Sequence, residues 1–262
     1  MPAAAGLDGS SIRFVLCDLD GVVWLRRQAI PGAPEAIARL RADGRRVLFV
    51  TNNSMSPIAE QEAALAAIDV PADGDVITSA QAAASLVEPD EVVVVCGGTG
   101  VTEAVDARGA FAVDYGPADA VVVGLHRSFD FARLQAANAA IRSGARFIAT
   151  NLDPTFPTPD GPTPGAGALV AAVATVAETQ PVVAGKPFAP MAELTRLRCG
   201  PDFSSSTAIV VGDRWSTDGS FADELGVPFA LVRSGVTGAG DPIPAAPAFD
   251  GADLAAVADA LS

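Results

Sequence analysis

Along this chain, short runs of consecutive apolar, largely β-branched residues alternate with Ala-rich stretches of helical spacing. The runs at 12–17, 46–50, 207–211 and 228–232 lack the alternating polar positions of a half-exposed strand, so each predicts a strand buried on both faces of a parallel sheet. Between the first two, residues 34–43 predict a helix: proline stands near its start, Ile37 and Leu40 share a face, and Gly44 stops it. Ser56-Pro57 reads as the cap and first residue of the next helix. A middle segment, 86–180, has its own strand runs at Val92–Cys96, Ala120–Val123 and Arg146–Ala149 and a helix over about 131–143. The outer pattern resumes after it, with a helix beginning near Pro190 and the apolar run that ends before Asp213. The expected organisation is therefore a core domain built from 1–85 and 181–262 with a second α/β domain, 86–180, inserted into it. Residues 153–167 and 236–250 are dense in proline and glycine and predict irregular loops, the second leading to a last helix over 253–261.

Composition narrows the partners. The chain has 262 residues, half of them hydrophobic, and a formal charge of −14. That charge argues against nucleic acid or an anionic membrane, whose binding needs clustered Lys and Arg, and it requires any anionic substrate to be met by a metal or a few placed basic groups. Cys17, Cys96 and Cys199 are widely spaced and odd in number, which makes neither a disulfide framework nor a Cys-rich zinc site. His126 is the only histidine, so multi-His zinc sites are excluded and a serine–histidine system would depend on His126 alone. Residues 1–11 lack a basic region followed by an apolar stretch, and no apolar run approaches about 18 residues. A cytoplasmic location is expected.

Candidate chemistry gathers where the apolar runs stop. The first ends in Asp18-Leu19-Asp20-Gly21; on a strand, residues i and i+2 share a face, so Asp18 and Asp20 are expected to converge on one bound group. The second ends in Thr51-Asn52-Asn53-Ser54, the third in Gly212-Asp213-Arg214-Trp215-Ser216-Thr217-Asp218. Open parallel sheets bind ligands at the carboxyl ends of their strands, which would put Asp18, Asp20, Thr51, Asn52, Asp213 and Asp218 in one crevice. Gly185-Lys186-Pro187 is not a nucleotide-binding loop, because Gln180 and Pro187 stand where that loop requires Gly and Ser or Thr. A lysine beside carboxylates can instead hold a phosphate. Acidic residues with Lys, Thr and Asn, and without His, suit a hard divalent cation and a phosphate.

Taken together, Asp18-Leu19-Asp20-Gly21-Val22, Thr51-Asn52-Asn53-Ser54, Gly185-Lys186-Pro187 and Gly212-Asp213 with Asp218 resemble, in order, the four motifs of the haloacid dehalogenase superfamily of phosphatases. Thr51-Asn52-Asn53-Ser54, Gly144-Ala145-Arg146-Phe147-Ile148-Ala149-Thr150-Asn151 and Pro164-Gly165-Ala166-Gly167 are similar to the branch of p-nitrophenyl, phosphoglycolate, glycerol-3-phosphate and pyridoxal phosphate phosphatases. The resemblance implies a Rossmann-like core with an inserted α/β cap. It also implies Asp18 as nucleophile, Asp20 as general acid and base, Mg²⁺ held by Asp18, the Asp20 carbonyl and Asp213 with Asp218 behind them, and phosphate held by Thr51, Asn52 and Lys186. The partner would be a small phosphate ester, and a homodimer through the cap is a candidate assembly, with the oligomeric state left open. His126, Asn151 and Asp153 are the candidates for specificity. A phosphotransferase of the same superfamily and a non-catalytic metal-binding or interaction module are the alternatives. Trp215-Ser216 departs from the Leu-Asp usual in the fourth motif.

Overall fold

Phe14-Val15-Leu16-Cys17 is buried at every position, as a strand covered on both faces must be. In the computed structural model, which describes residues 9–158 and 161–262, this strand lies inside a six-stranded sheet. The order across that sheet is Phe249–Gly251, Phe229–Val232, Ala208–Gly212, Phe14–Cys17, Arg46–Thr51 and Val76–Thr78. Phe14 is in parallel register with Ala208 on one side and Arg46 on the other. The chain winds outward in both directions from this central strand, so its carboxyl end is a topological switch point. Val15, Cys17, Val47, Phe49, Ile209 and Val211 alternate along three neighbouring strands onto one face. They pack there with Ile37 and Leu40 of the Ala33–Ala42 helix and Leu254, Val257 and Leu261 of the Leu254–Leu261 helix. The first of these helices has Pro34 in its first turn and is followed by Gly44 at φ +82°, a conformation glycine adopts without the steric cost of a Cβ.

The residues divide into two compact units, one of residues 1–51, 61–77 and 192–262, the other of residues 52–60 and 78–191. Segment 86–180 falls inside the second unit. That unit is built on a five-stranded sheet ordered Val182–Val183, Arg146–Ala149, Ala120–Val123, Val92–Cys96 and Phe111–Val113, parallel throughout. Val94, Cys96, Val121 and Val123 form an apolar face with Ala137 and Ile141 of the Phe131–Arg142 helix and Val170 and Val173 of the Ala166–Ala177 helix.

Residues 153–167 are not irregular throughout. Thr155–Thr158 and Gly161–Pro164 pair as an antiparallel ribbon, with Pro157 opposite Pro162. Prolines facing each other at a position where neither residue donates across the ribbon cost no ladder bond, which is why proline density misled here. Ser56-Pro57 also precedes the helix rather than starting it; the helix runs Ile58–Ala66. Residues 1–8, on which the N-terminal expectation partly rests, lie outside the described residues. Among the described residues no helix is long and apolar enough to cross a membrane.

Candidate active site

Three carboxylates meet at the carboxyl ends of the first unit's central strands. Asp18 and Asp213 directly follow two parallel strands in register, Cys17 opposite Val211, and the Asp18 N–H donates to the Val211 carbonyl at 2.9 Å. Asp218 comes from the wide helical turn Trp215–Gly219, where its N–H donates to the Arg214 carbonyl at 2.8 Å and its Oδ2 accepts from the Arg214 N–H at 3.1 Å. Gly212 admits this turn: a Cβ there would stand 2.2 Å from the Cβ of Asp218. Asp18, Asp213 and Asp218 each present an oxygen within 4.8 Å of the others, and the latter two are almost fully buried. At that spacing two like charges repel by about 3–4 kcal/mol at an effective dielectric constant of ~20, which a bound cation would reverse. An all-oxygen, partly dehydrated set of this size fits a hard divalent ion such as Mg²⁺.

The loop at 234–237 holds the carboxylate of Asp213. The Val236 N–H donates to Asp213 Oδ2 at 2.5 Å, the Thr237 N–H to the Asp213 carbonyl at 3.2 Å, and the Ser234 hydroxyl to the Gly21 carbonyl at 2.7 Å. Gly21 and Gly235 flank the same carboxylate so closely that a Cβ would lie 2.2 Å or 1.9 Å from Asp213 Oδ2. The glycine of the first motif therefore makes room for a carboxylate at the end of another strand, besides its φ of +86°.

Asp20 does not belong to the strand, which ends at Cys17, so the same-face argument from i and i+2 does not describe it. It is exposed, in a tight loop where the Leu19 carbonyl accepts from the N–H groups of Val22, Val23 and Trp24. The indole N–H of buried Trp24 donates to Asp20 Oδ1 at 3.0 Å and sets its orientation. Thr51 is the buried last residue of its strand.

The other candidates lie in the second unit. Asn52, Asn151, Asp153 and buried Lys186 come together in one hydrogen-bonded cluster with Ser79. Among the described residues, His126 bonds outside that cluster. Its Nδ1 accepts from the Ser128 N–H at 3.1 Å, and burial followed by the charge of Arg133 holds its imidazole below the ordinary value. Sequence reasoning missed Trp24 and the 234–237 loop. The loop had a signal, since Ser234-Gly235 follows an apolar strand as the other polar clusters do.

Comparison with known proteins agrees with this geometry. Residues 15–110 match the family described as haloacid dehalogenase-like hydrolase, and residues 183–257 one described as HAD-hydrolase-like. The chain is 41% identical over 241 residues to the D-glycerol 3-phosphate phosphatase of Mycobacterium tuberculosis, covering 89% of this chain and 66% of that protein, just under two thirds of its length. It is 35% identical over 228 residues to the 5′-nucleotidase YutF of Bacillus subtilis, covering 85% of this chain and 87% of that protein. The crystal structure of glycerol phosphate phosphatase from Mycobacterium tuberculosis in complex with magnesium has a TM-score of 0.86 at 37% identity, over 95% of this chain and 77% of that chain. Magnesium suits both that relative and the donor set found here. With its carboxylates at the sheet's switch point and family matches over residues 15–110 and 183–257, the chain belongs to the haloacid dehalogenase-like hydrolases, among those acting on phosphoric monoesters.

Proposed function

We propose that the protein hydrolyses small phosphomonoesters through a covalent aspartyl-phosphate on Asp18. The observation that carries the reading is the convergence of Asp18, Asp213 and Asp218 oxygens within 4.8 Å at the carboxyl edge of a parallel sheet. A carboxylate oxygen of Asp18 attacks phosphorus and the phosphorus–oxygen bond to the organic group breaks. Asp20 gives its proton to the departing oxygen. It then takes a proton from water as that water attacks phosphorus and releases phosphate from Asp18. When bound, Mg²⁺ supplies charge compensation for the phosphoryl group and the attacking carboxylate. Asp18, Asp213 and the Asp20 carbonyl would hold it, with Asp218 behind them.

Thr51 and Lys186 offer a hydroxyl and an ammonium to the remaining phosphate oxygens, which is where phosphoryl transfer draws most of its stabilisation. The second unit selects the organic part. Glycerol phosphate, phosphoglycolate and pyridoxal phosphate are the compact esters to try, the first supported by the name of the M. tuberculosis relative. The test is phosphate release from such a panel with Mg²⁺, by the wild type and by Asp18→Asn. Asp18→Asn should lose activity by several powers of ten with the fold intact; retention of about a percent of kcat would sink the nucleophile assignment.

A further inference from the structure

The amide of Asn52 is spent entirely within the second unit. Its Oδ1 accepts from the Lys186 N–H at 2.8 Å, and its Nδ2 donates to the Lys186 carbonyl at 3.2 Å and to Asp153 Oδ2 at 3.1 Å. A side-chain amide has two N–H groups, and both are used. No donor is left on this side chain for a phosphate oxygen. What it does is grip both peptide groups of Lys186, as a neighbouring strand would.

The grip is itself held. The Asn52 carbonyl accepts from the Ser79 hydroxyl at 2.7 Å and from Asn151 Nδ2 at 2.9 Å, and Asn151 Oδ1 accepts from the Asp153 N–H at 3.1 Å. Gly185 permits the approach, because a Cβ there would lie 2.4 Å from the Thr150 carbonyl oxygen and 2.6 Å from Asn52 Oδ1. Ser79, Thr150, Asn151 and Lys186 are all buried. A lysine carries its charge on a flexible four-carbon stem, so where that charge can act depends on how its backbone is fixed.

We propose that Asn52 is a positioning residue that acts through Lys186, and that Asn151 and Asp153 hold Asn52 in place rather than reading the substrate. The inference rests on the reading of Lys186 as a phosphate ligand. Partners of this kind, one shell behind a ligand, typically change affinity or activity by about 10- to 100-fold.

The experiment is a double-mutant cycle of Asn52→Ala and Lys186→Ala in the Mg²⁺-loaded protein, reading inorganic phosphate affinity by calorimetry and kcat and KM on a small phosphomonoester. Asn52→Ala should weaken phosphate binding by about tenfold or more, and in the Lys186→Ala background it should add almost nothing. Losses that multiply in the double variant, or wild-type phosphate affinity in Asn52→Ala, would overturn the inference. Asp153→Ala removes one anchor without emptying the cluster. It should show a smaller loss that likewise disappears in the Lys186→Ala background, and an equal loss there would count against the proposal. Lys186→Ala with unchanged phosphate affinity would instead overturn the phosphate-ligand reading. Amide exchange then judges the grip separately: the Lys186 N–H should exchange faster in Asn52→Ala, and unchanged exchange refutes the grip.

Discussion

Replacing Gly235 by alanine separates the two reasons a glycine can be required. Gly235 does not have a positive φ, so alanine suffers no backbone penalty there, yet its Cβ would lie 1.9 Å from Asp213 Oδ2 and 2.7 Å from the Gly21 Cα. Cβ contacts shorter than 3.0 Å essentially do not occur. Something must therefore give by roughly 1 Å, and neither neighbour is a loose side-chain end: Asp213 is tied to the Val236 N–H and Gly21 to the Ser234 hydroxyl. Overpacking of this kind costs about 1–3 kcal/mol of stability. A misplacement of about 1 Å in a reacting constellation can cost a hundredfold in rate. Gly44→Ala is the matched control: φ is +82° with nothing within 4 Å, so it should cost about 1–2 kcal/mol through the backbone alone. Mg²⁺ calorimetry, thermal denaturation and kcat/KM should be measured on both variants. Gly235→Ala is expected to lose Mg²⁺ affinity by about tenfold or more and kcat/KM by about a hundredfold, a tenfold change being ~1.4 kcal/mol. Gly44→Ala should lower stability only. Wild-type Mg²⁺ affinity in Gly235→Ala would show that Asp213 is not held by this loop.

Asp20→Asn should cost about 10²- to 10⁴-fold on an alkyl phosphate and far less on p-nitrophenyl phosphate, whose leaving group needs little protonation; equal losses would contradict the acid role. Trp24→Phe, which removes the N–H held at 3.0 Å from Asp20 Oδ1, should show the same substrate dependence in weaker form. The Cys96 and Cys199 thiols are pushed up to about 11 by burial, so native protein at pH 7 should resist iodoacetamide for hours while unfolded protein reacts fully. Arg233 donates to both oxygens of Asp250 at 2.8 and 2.7 Å, and this hydrogen bonding first, its charge second, holds the carboxyl below its ordinary 3.8. A depressed carboxylate stabilises above its unfolded value and ceases to as pH falls through its folded one. Asp250→Asn should thus cost about 0.5–1 kcal/mol in urea denaturation at pH 7, and the deficit should shrink as pH is lowered towards 2; a deficit independent of pH would refute the pairing.

The sheets and the carboxylates were legible because both are written in contiguous sequence. An unbroken apolar run such as Phe14–Cys17 has few alternatives to a buried strand, and the polar residue that stops it sits where parallel sheets keep their ligands. The strands Val182–Val183 and Phe111–Val113 escaped notice because two or three residues define no period. The hold of the Asn52 amide on Lys186 was not legible because the two lie 134 residues apart, and a side-chain amide gripping a distant backbone leaves no local pattern. The same holds for the 234–237 loop, whose contribution to Asp213 is made largely by peptide N–H groups that every residue but proline carries. Trp24 was hidden differently: its ring belongs to the core, and only its N–H serves the site.

Asp18 and Asp213 stand one residue and no more beyond the ends of two strands locked in register, Cys17 against Val211. The spacing of the ionic centre is thus counted out in residues by the apolar sheet. Exchanging Val15 or Ile209 for another aliphatic side chain changes packing and leaves the count alone. Losing one residue anywhere in Phe14–Cys17 shifts the strand by about 3.3 Å and turns every later side chain to the opposite face. This strand therefore tolerates exchange among aliphatic side chains at a cost in packing, whereas a change in its length would displace Asp18 from Asp213, and changes in length belong in the connecting loops.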